Sequence, residues 1–330
     1  MAIDEFPDLD ALISGVRARN RRSLARAITL VESQRDDHRQ LAEELITRLM
    51  PHCGGARRIG ISGVPGAGKS TFIEALGLSL LQRAHRVAVL AVDPTSRVSG
   101  GSILGDKTRM PRLASHEDCF IRPSPTAGTL GGVARRTREA LIVCEAAGFD
   151  VVLVETVGVG QSEHAVFTLV DSFLLLTLAG AGDELQGIKR GILELVDVVC
   201  VNKADGDNVA RAERAATEML AALRLLRGAD CPRVLTTSAF SGAGIDETWA
   251  ALSEHHAKML SSGRLERRRR EQNDQWLESL IDEGLSRALH AHPRAARVHA
   301  EMKRRVAQST INPAQAARQV LHAFLGPRDN

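Results

Sequence analysis

Apolar positions change their rhythm twice along the chain. Over residues 8–50 they recur at helical spacing. Leu9, Leu12, Ile13 and Val16 share one face, and Leu24, Ala27, Ile28, Val31, Leu41, Leu45 and Leu49 continue the pattern from about Ser23 to Leu49. Pro51 and Gly54-Gly55 end it. Short apolar runs follow, at Ile59–Val64, Val87–Val92, Val151–Glu155, Phe173–Leu178, Val196–Asn202 and Val234–Thr237. Several are continuous rather than alternating, as befits strands covered on both faces. Their alternation with helical or glycine-rich stretches predicts βαβ units and an α/β fold with a mostly parallel, doubly wound sheet. After about Thr248 the strand signal stops. Ile245–Leu260, Leu265–His290, Pro293–Ala307 and Pro313–Leu325 read as helices. The expected organisation is an N-terminal helical segment (1–50), a central α/β domain (51–250) and a C-terminal helical extension (251–330).

Composition narrows the function classes. A hydrophobic share of 44% and a charged share of 25% suit a soluble protein with a real core. The net charge of +3 is too small to argue for nucleic acid, and eight Phe, two Trp and no Tyr leave few stacking platforms for nucleic-acid bases. The longest apolar run, near Phe173–Ala179, is far below a membrane span, and the acid-rich start carries no signal-peptide pattern. Cys53, Cys119, Cys144, Cys200 and Cys231 are odd in number and form no CxxC pair, so free thiols in a reducing cytoplasm are expected. The basic stretch Arg264–Arg270 and the pair His255-His256 read as exposed faces of charged helices.

The sharpest motif is Gly63-Val64-Pro65-Gly66-Ala67-Gly68-Lys69-Ser70, followed by Thr71. It fits G-x-x-x-x-G-K-[ST], and an apolar strand precedes it while a helix-forming run, Thr71–Leu81, follows. Glycines let successive N–H groups wrap a phosphate, and the helix N-terminus adds partial positive charge. Lys69 is placed to reach β- and γ-phosphates, and the Ser70 hydroxyl to ligate magnesium.

A phosphate loop does not choose a base; Asn202-Lys203-Ala204-Asp205, at the end of a strand, does. The Asp205 carboxylate can accept both N1–H and the 2-amino group of guanine. Adenine lacks that amino group and would set its N1 acceptor against the same carboxylate. Asn202 supports the loop and the Lys203 stem covers the base plane. Ser238, Ala239 and Phe240 follow the next strand, where backbone N–H groups can meet guanine O6. The expected ligands are therefore GTP and GDP with Mg2+.

Glu155-Thr156-Val157-Gly158 also ends a strand. An acid there usually contacts magnesium, and many phosphate-loop GTPases carry Asp where this chain has Glu155. Asp93 and Asp106 are further candidates for the magnesium shell. Gly180–Lys189, containing Asp183 and Lys189, is a loop of the kind that orders around a γ-phosphate.

These segments together resemble one family: the P-loop GTPases that escort adenosylcobalamin-dependent acyl-CoA mutases, of the MeaB/ArgK type related to the human methylmalonic aciduria type A protein. The strings that carry the resemblance are GVPGAGKST from Gly63, VDPTS from Val92, GGSILGDKTRM from Gly100, RPSPTAGTLGGVA from Arg122, ETVGVGQSE from Glu155, GAGDELQGIKRGILE from Gly180 and NKAD from Asn202. The match runs from about Ala25 to Ser241, and more loosely to the C-terminus. The resemblance implies a cytoplasmic homodimer joined through the C-terminal helices. It also implies a role as chaperone to methylmalonyl-CoA mutase or a close relative, in cofactor loading, protection and reactivation. It implies that Asp93, Asp106 and Glu155 form the magnesium and γ-phosphate cluster. Lys69, Glu155, Asp183 and Lys189 would act in catalysis, Asp183 and Lys189 from a partner-responsive loop. A metallochaperone GTPase serving another metalloenzyme is the alternative, but the 11 histidines are scattered rather than gathered in a metal-binding tract. The chain is not itself a cobalamin-binding mutase domain: its nearest approach to Asp-x-His-x-x-Gly, Asp36-Asp37-His38, has Leu41 at the glycine position.

Overall fold

The computed structural model describes residues 8–33, 35–93, 109–125, 130–156, 162–180 and 190–326. They divide into two compact units, Met1–Arg269 and Arg270–Asn330. The first opens with α1 (Leu9–Arg17), α2 (Arg21–Glu32) and α3 (Asp36–Leu49). The Asn20 side chain caps α2 by accepting from the amides of Arg22 and Ser23, each at 3.0 Å. The continuous helix expected from Ser23 to Leu49 is broken. Ser33 takes an extended backbone, and its hydroxyl oxygen accepts from the Arg35 amide at 3.3 Å and meets His38 Nδ1 at 2.8 Å. A serine whose side chain satisfies local polar groups competes with the helix there.

The sheet comprises β1 (Arg57–Gly63), β2 (Val87–Asp93), β3 (Cys119–Pro125), β4 (Val151–Thr156), β5 (Ser172–Leu178), β6 (Val198–Asn202) and β7 (Arg233–Thr236). Their order is β3-β2-β4-β1-β5-β6-β7, and every pairing is parallel. Between the strands lie α4 (Lys69–Gln82), α5 (Pro111–Ser115), α6 (Leu130–Ala146), α7 (Ser162–Phe167), α8 (Arg190–Leu193) and α9 (Val209–Arg227). Then α10 (Ile245–Ser261) packs on α4 and β6, while α2 and α3 pack on α6. β4 and β6 are buried along their whole length, as continuous apolar strands between helical layers must be. Phe72, Ile73, Leu76 and Leu80 of α4 are fully buried.

The central strand β1 is where the winding reverses: β2, β3 and β4 lie to one side, and β5, β6 and β7 to the other. Ligands of open parallel sheets bind at such a switch point, beyond the carboxyl ends of the strands. The strand that sequence patterning missed is β3. Its residues Cys-Phe-Ile-Arg-Pro-Ser-Pro give no apolar run, and prolines are tolerated because it is an edge strand.

Two expectations about surface charge hold only in part: Arg264, Glu266, Arg267 and Arg270 are exposed. Arg269 is not solvent-facing. Its guanidinium grips Asp171 through Nε to Oδ1 at 2.9 Å and Nη2 to Oδ2 at 2.7 Å, and donates to the carbonyls of Gly54 at 2.6 Å and Ala56 at 2.7 Å. Arg268 lies over the Phe167 ring, 4.3 Å from its centroid. His255 is half-buried, with Nδ1 2.9 Å from Ser172 Oγ and Nε2 3.3 Å from Asp197 Oδ1. The charge run therefore docks the root of α11 (Arg264–Ala291) onto the amino ends of the strands.

In the second unit, α12 (Pro293–Ala307) and α13 (Pro313–Leu325) each begin with proline at the first helical position, behind a capping residue. His292 Nδ1 accepts from the Ala295 amide at 3.2 Å, and Asn312 Oδ1 from the Ala314 amide at 2.8 Å. Met302, Ala316 and Val320 form its small core. Among the described residues, no helix is long and apolar enough to cross a membrane.

Candidate functional site

The phosphate loop leaves the end of β1 and enters α4. Gly63 can only be glycine: a Cβ there would stand 2.4 Å from the Leu176 carbonyl oxygen on β5. Gly68, immediately before α4, has φ +83°, and a Cβ would stand 3.0 Å from Asn202 Nδ2. Ser70 and Thr71 lie in the first turn of α4, so amides and helix dipole face the same point. Lys69 Nζ donates to the Gly63 carbonyl at 2.9 Å and the Val64 carbonyl at 3.4 Å. Burial lowers the Lys69 pKa from its ordinary value, opposed by the charges of Glu155 and Glu163. A polyphosphate would relieve that desolvation by offering the ammonium a dense negative charge.

Ser70 Oγ donates to Glu155 Oε1 at 3.1 Å. The longer acid thus reaches the helix that holds the phosphate loop, although Glu155 stands at the end of β4 and is only 7% exposed. Two hard oxygens converging this closely suit a magnesium shell. Sequence reasoning gave no role to Glu163, which is 1% exposed and whose charge is felt by Lys69. The signal was an acid on a short apolar-flanked helix, inside a string already noted.

The loops beyond β6 and β7 are organised by Asn202, which is 1% exposed at the end of β6. Its Nδ2 donates to the Ala67 carbonyl of the phosphate loop at 2.7 Å. Its Oδ1 accepts from Thr237 Oγ1 at 3.3 Å and from the Ala239 amide at 3.2 Å. One side chain thus joins the phosphate loop, its own loop and the loop after β7. Lys203 is exposed with φ +60°, an unusual conformation for a residue with a side chain, and Asn208 Nδ2 holds its carbonyl at 2.7 Å. Asp205 is fixed by a short hydrogen bond from Ser238 Oγ.

The loop after β7 differs from expectation in one respect. The Ser238 amide donates to the Ala243 carbonyl at 2.9 Å and the Ala239 amide to Asn202. Neither points freely toward a guanine O6 in this arrangement; the Ala239 amide would have to share its bond. Phe240, at the crest of the loop, is 92% exposed. Of the remaining residues singled out, Asp93 ends β2, whereas Asp106, Asp183 and Lys189 lie outside the described residues.

A glycine-rich loop entering a helix, a hydroxyl–carboxylate pair and a carboxylate held by Ser238 thus stand beyond the carboxyl ends of β1, β4 and β6. A family model described as "Methylmalonyl Co-A mutase-associated GTPase MeaB" matches residues 24–294. The chain belongs to the MeaB family. It is accordingly a GTPase. Among MeaB relatives, the GTPase ArgK of Escherichia coli is 46% identical over 311 residues, covering 93% of this chain and 94% of ArgK. The mitochondrial methylmalonic aciduria type A homolog of Mus musculus is 46% identical over 329 residues, covering 96% of this chain and 79% of its own. A solved structure described as an LAO/AO transport system kinase superposes with a TM-score of 0.74 at 38% identity, covering 97% of this chain and 99% of that one.

Proposed function

We propose that this MeaB-family chain hydrolyses GTP to GDP and phosphate as a switch. In this reading it serves an adenosylcobalamin-dependent acyl-CoA mutase, methylmalonyl-CoA mutase or a close relative, in cofactor loading, protection and reactivation. The observation that carries the nucleotide reading is the Asn202 side chain, which locks the phosphate loop to the guanine-reading loops. The family description supports the mutase as partner.

In this reading Gly63–Thr71 cradle the phosphates and Lys69 neutralises their β- and γ-oxygens. Asp205 accepts N1–H and the 2-amino group of guanine. Ser70 and Glu155 hold magnesium, with Asp93 and Asp106 completing the shell. A metal there would screen the charge between β- and γ-phosphates. Asp183 and Lys189 respond to the partner, Lys189 stabilising charge that develops during hydrolysis. The protein works in the cytoplasm as a homodimer joined through its C-terminal helices.

The test is GTP turnover by the purified protein, alone and with purified mutase. Stimulation by the mutase, largely lost in Lys189→Ala while GDP affinity holds, is the expected result. A GTP rate indifferent to every acyl-CoA mutase offered, with no GTP-dependent complex on gel filtration, would sink the partner assignment.

A further inference from the structure

A cavity of about 360 Å³ opens at the amino ends of β6 and β7, the end of the sheet opposite the phosphate loop. Val198 and Arg233, the first residues of those strands, line it together with His255 and Lys258 of α10 and Arg264 and Arg268 of α11. The whole lining belongs to the first unit and includes no residue assigned to the nucleotide site. Its size suits a small ligand.

The acids beside these cations are already committed. Glu254 serves both Arg233, Nη1 to Oε2 at 2.8 Å, and Lys258, Nζ to Oε1 at 2.8 Å. Asp197 Oδ2 accepts from the Phe173 amide at 2.8 Å, and its Oδ1 faces His255 Nε2 at 3.3 Å. Arg268 Nη1 stands 3.8 Å from Asp197 Oδ2, beyond hydrogen-bond reach. Among the described residues, Arg268 Nη2 is buried with no hydrogen-bond partner, while the flat face of the guanidinium lies over Phe167. Arg264 is exposed, and its Nε donates to the Ser262 hydroxyl at 3.2 Å rather than to a carboxylate. The other two acids of the lining, Glu194 and Asp230, are exposed. The imidazole of His255 feels Arg268, Arg264 and Lys258 together: after burial, these three hold its pKa down against Asp197. Positive charge at this end of α10 and α11 is therefore only half neutralised by the protein itself.

We propose that the cavity binds a compact oxyanion carrying two negative charges, held between Arg264, Lys258 and the Arg268 guanidinium. An arginine stacked on an aromatic ring keeps its donor edge for an oxyanion, and a planar fork matches phosphate and carboxylate alike. His255 stands beside the anion without binding it, since Ser172 and Asp197 occupy both of its ring nitrogens. The imidazole is a built-in reporter of the site.

Inorganic phosphate and malonate, titrated separately into the full-length protein with isotope-labelled histidine at fixed ionic strength, provide the test. The His255 resonance, identified by its loss in His255→Gln, is followed by NMR. At least one anion should shift it saturably, with a Kd of about 1 mM. Saturation by phosphate alone assigns a phosphoryl-bearing ligand and by malonate alone a dicarboxylate; both together leave the double negative charge as the recognised feature. Arg264→Ala should weaken binding about fivefold, an exposed cation being worth less than a buried one. Arg268→Lys, which keeps the charge and loses the fork, should weaken it about tenfold. Lys69→Ala should leave it unchanged. A shift no larger than chloride gives at the same ionic strength would overturn the proposal. So would an unchanged Kd in either arginine variant, Arg264→Ala deciding alone if Arg268→Lys does not fold. Loss of the response in Lys69→Ala would assign the anion to the phosphate loop and overturn it as well.

Discussion

Replacing Arg269 by alanine should destabilise the first unit through a single buried charge. Asp171 is 1% exposed at the foot of β5. Its carboxylate receives both arms of the Arg269 fork and, on Oδ2, the Arg58 amide at 2.9 Å. Truncating Arg269 leaves that carboxylate to the Arg58 amide and removes the guanidinium bonds to the Gly54 and Ala56 carbonyls. Breaking a buried pair by removing one partner costs about 3–5 kcal/mol. Each lost carbonyl bond adds roughly 1 kcal/mol. The Arg269 side chain is 18% exposed, so water can enter behind it and repay part of this. A net loss of about 3 kcal/mol is expected, or roughly 6–12 °C in Tm for a unit of this size. Lysine cannot reproduce a fork that serves four acceptors, so Arg269→Lys should recover less than half. Urea unfolding of Arg269→Ala, Asp171→Asn and the double variant provides the assay. The double variant should be less damaged than the sum, with coupling of about 2 kcal/mol. Additive losses, or a Tm within 2 °C of the parent for Arg269→Ala, would refute the reasoning.

Two further outcomes follow from the site, and a third from His255 at the amino ends of the strands. Lys69→Ala should weaken GTP binding by roughly 10- to 100-fold, the worth of about 1.5–3 kcal/mol for a charged hydrogen bond, and unchanged affinity by calorimetry would contradict the role given to its ammonium. Asp205→Asn should reverse preference from guanosine to xanthosine nucleotides by about 100-fold or more in competition binding; retained guanosine selectivity would mean that another residue reads the base. Burial chiefly pushes the pKa of His255 down, with Asp197 opposing and Arg268, Arg264 and Lys258 adding to it. Its folded form therefore holds fewer protons than the unfolded chain below about pH 6.5, and stability should fall as pH drops through that value. The urea midpoint should decline from pH 7.5 to 5.5 and do so less in His255→Gln; equal slopes would remove His255 as the cause.

The glycine-rich turn before α4, the strand end at Asn202 and the C-terminal helices were legible because their residues answer local demands. Gly63 and Gly68 sit where a Cβ would strike Leu176 or Asn202, so their identity is forced wherever the motif folds. α12 and α13 announce themselves with a cap and a proline. What was illegible depends on partners remote in sequence. Arg268 and Arg269 look like any solvated charge run until Phe167 and Asp171 arrive from elsewhere. His255 is likewise drawn inward by Ser172 and Asp197. β3 was hidden because its pairing with β2, not any apolar pattern, makes it a strand. Patterning also missed the break between α2 and α3, since Ser33 ends a helix by a hydroxyl bond that apolar spacing does not register. The direction of the Ala239 amide was missed because Asn202 takes it up.

The carboxamide of Asn202 has a consequence for how the ligand is let go. Because it ties the loop at Ala67 to the loop at Ala239, the proposed site would hold guanosine and pyrophosphate supplied as separate molecules without the chelate advantage of the intact nucleotide. Loosening either grip should likewise free the whole ligand rather than half of it. A push on either side of the link between Ala67 and Ala239 should therefore disturb both.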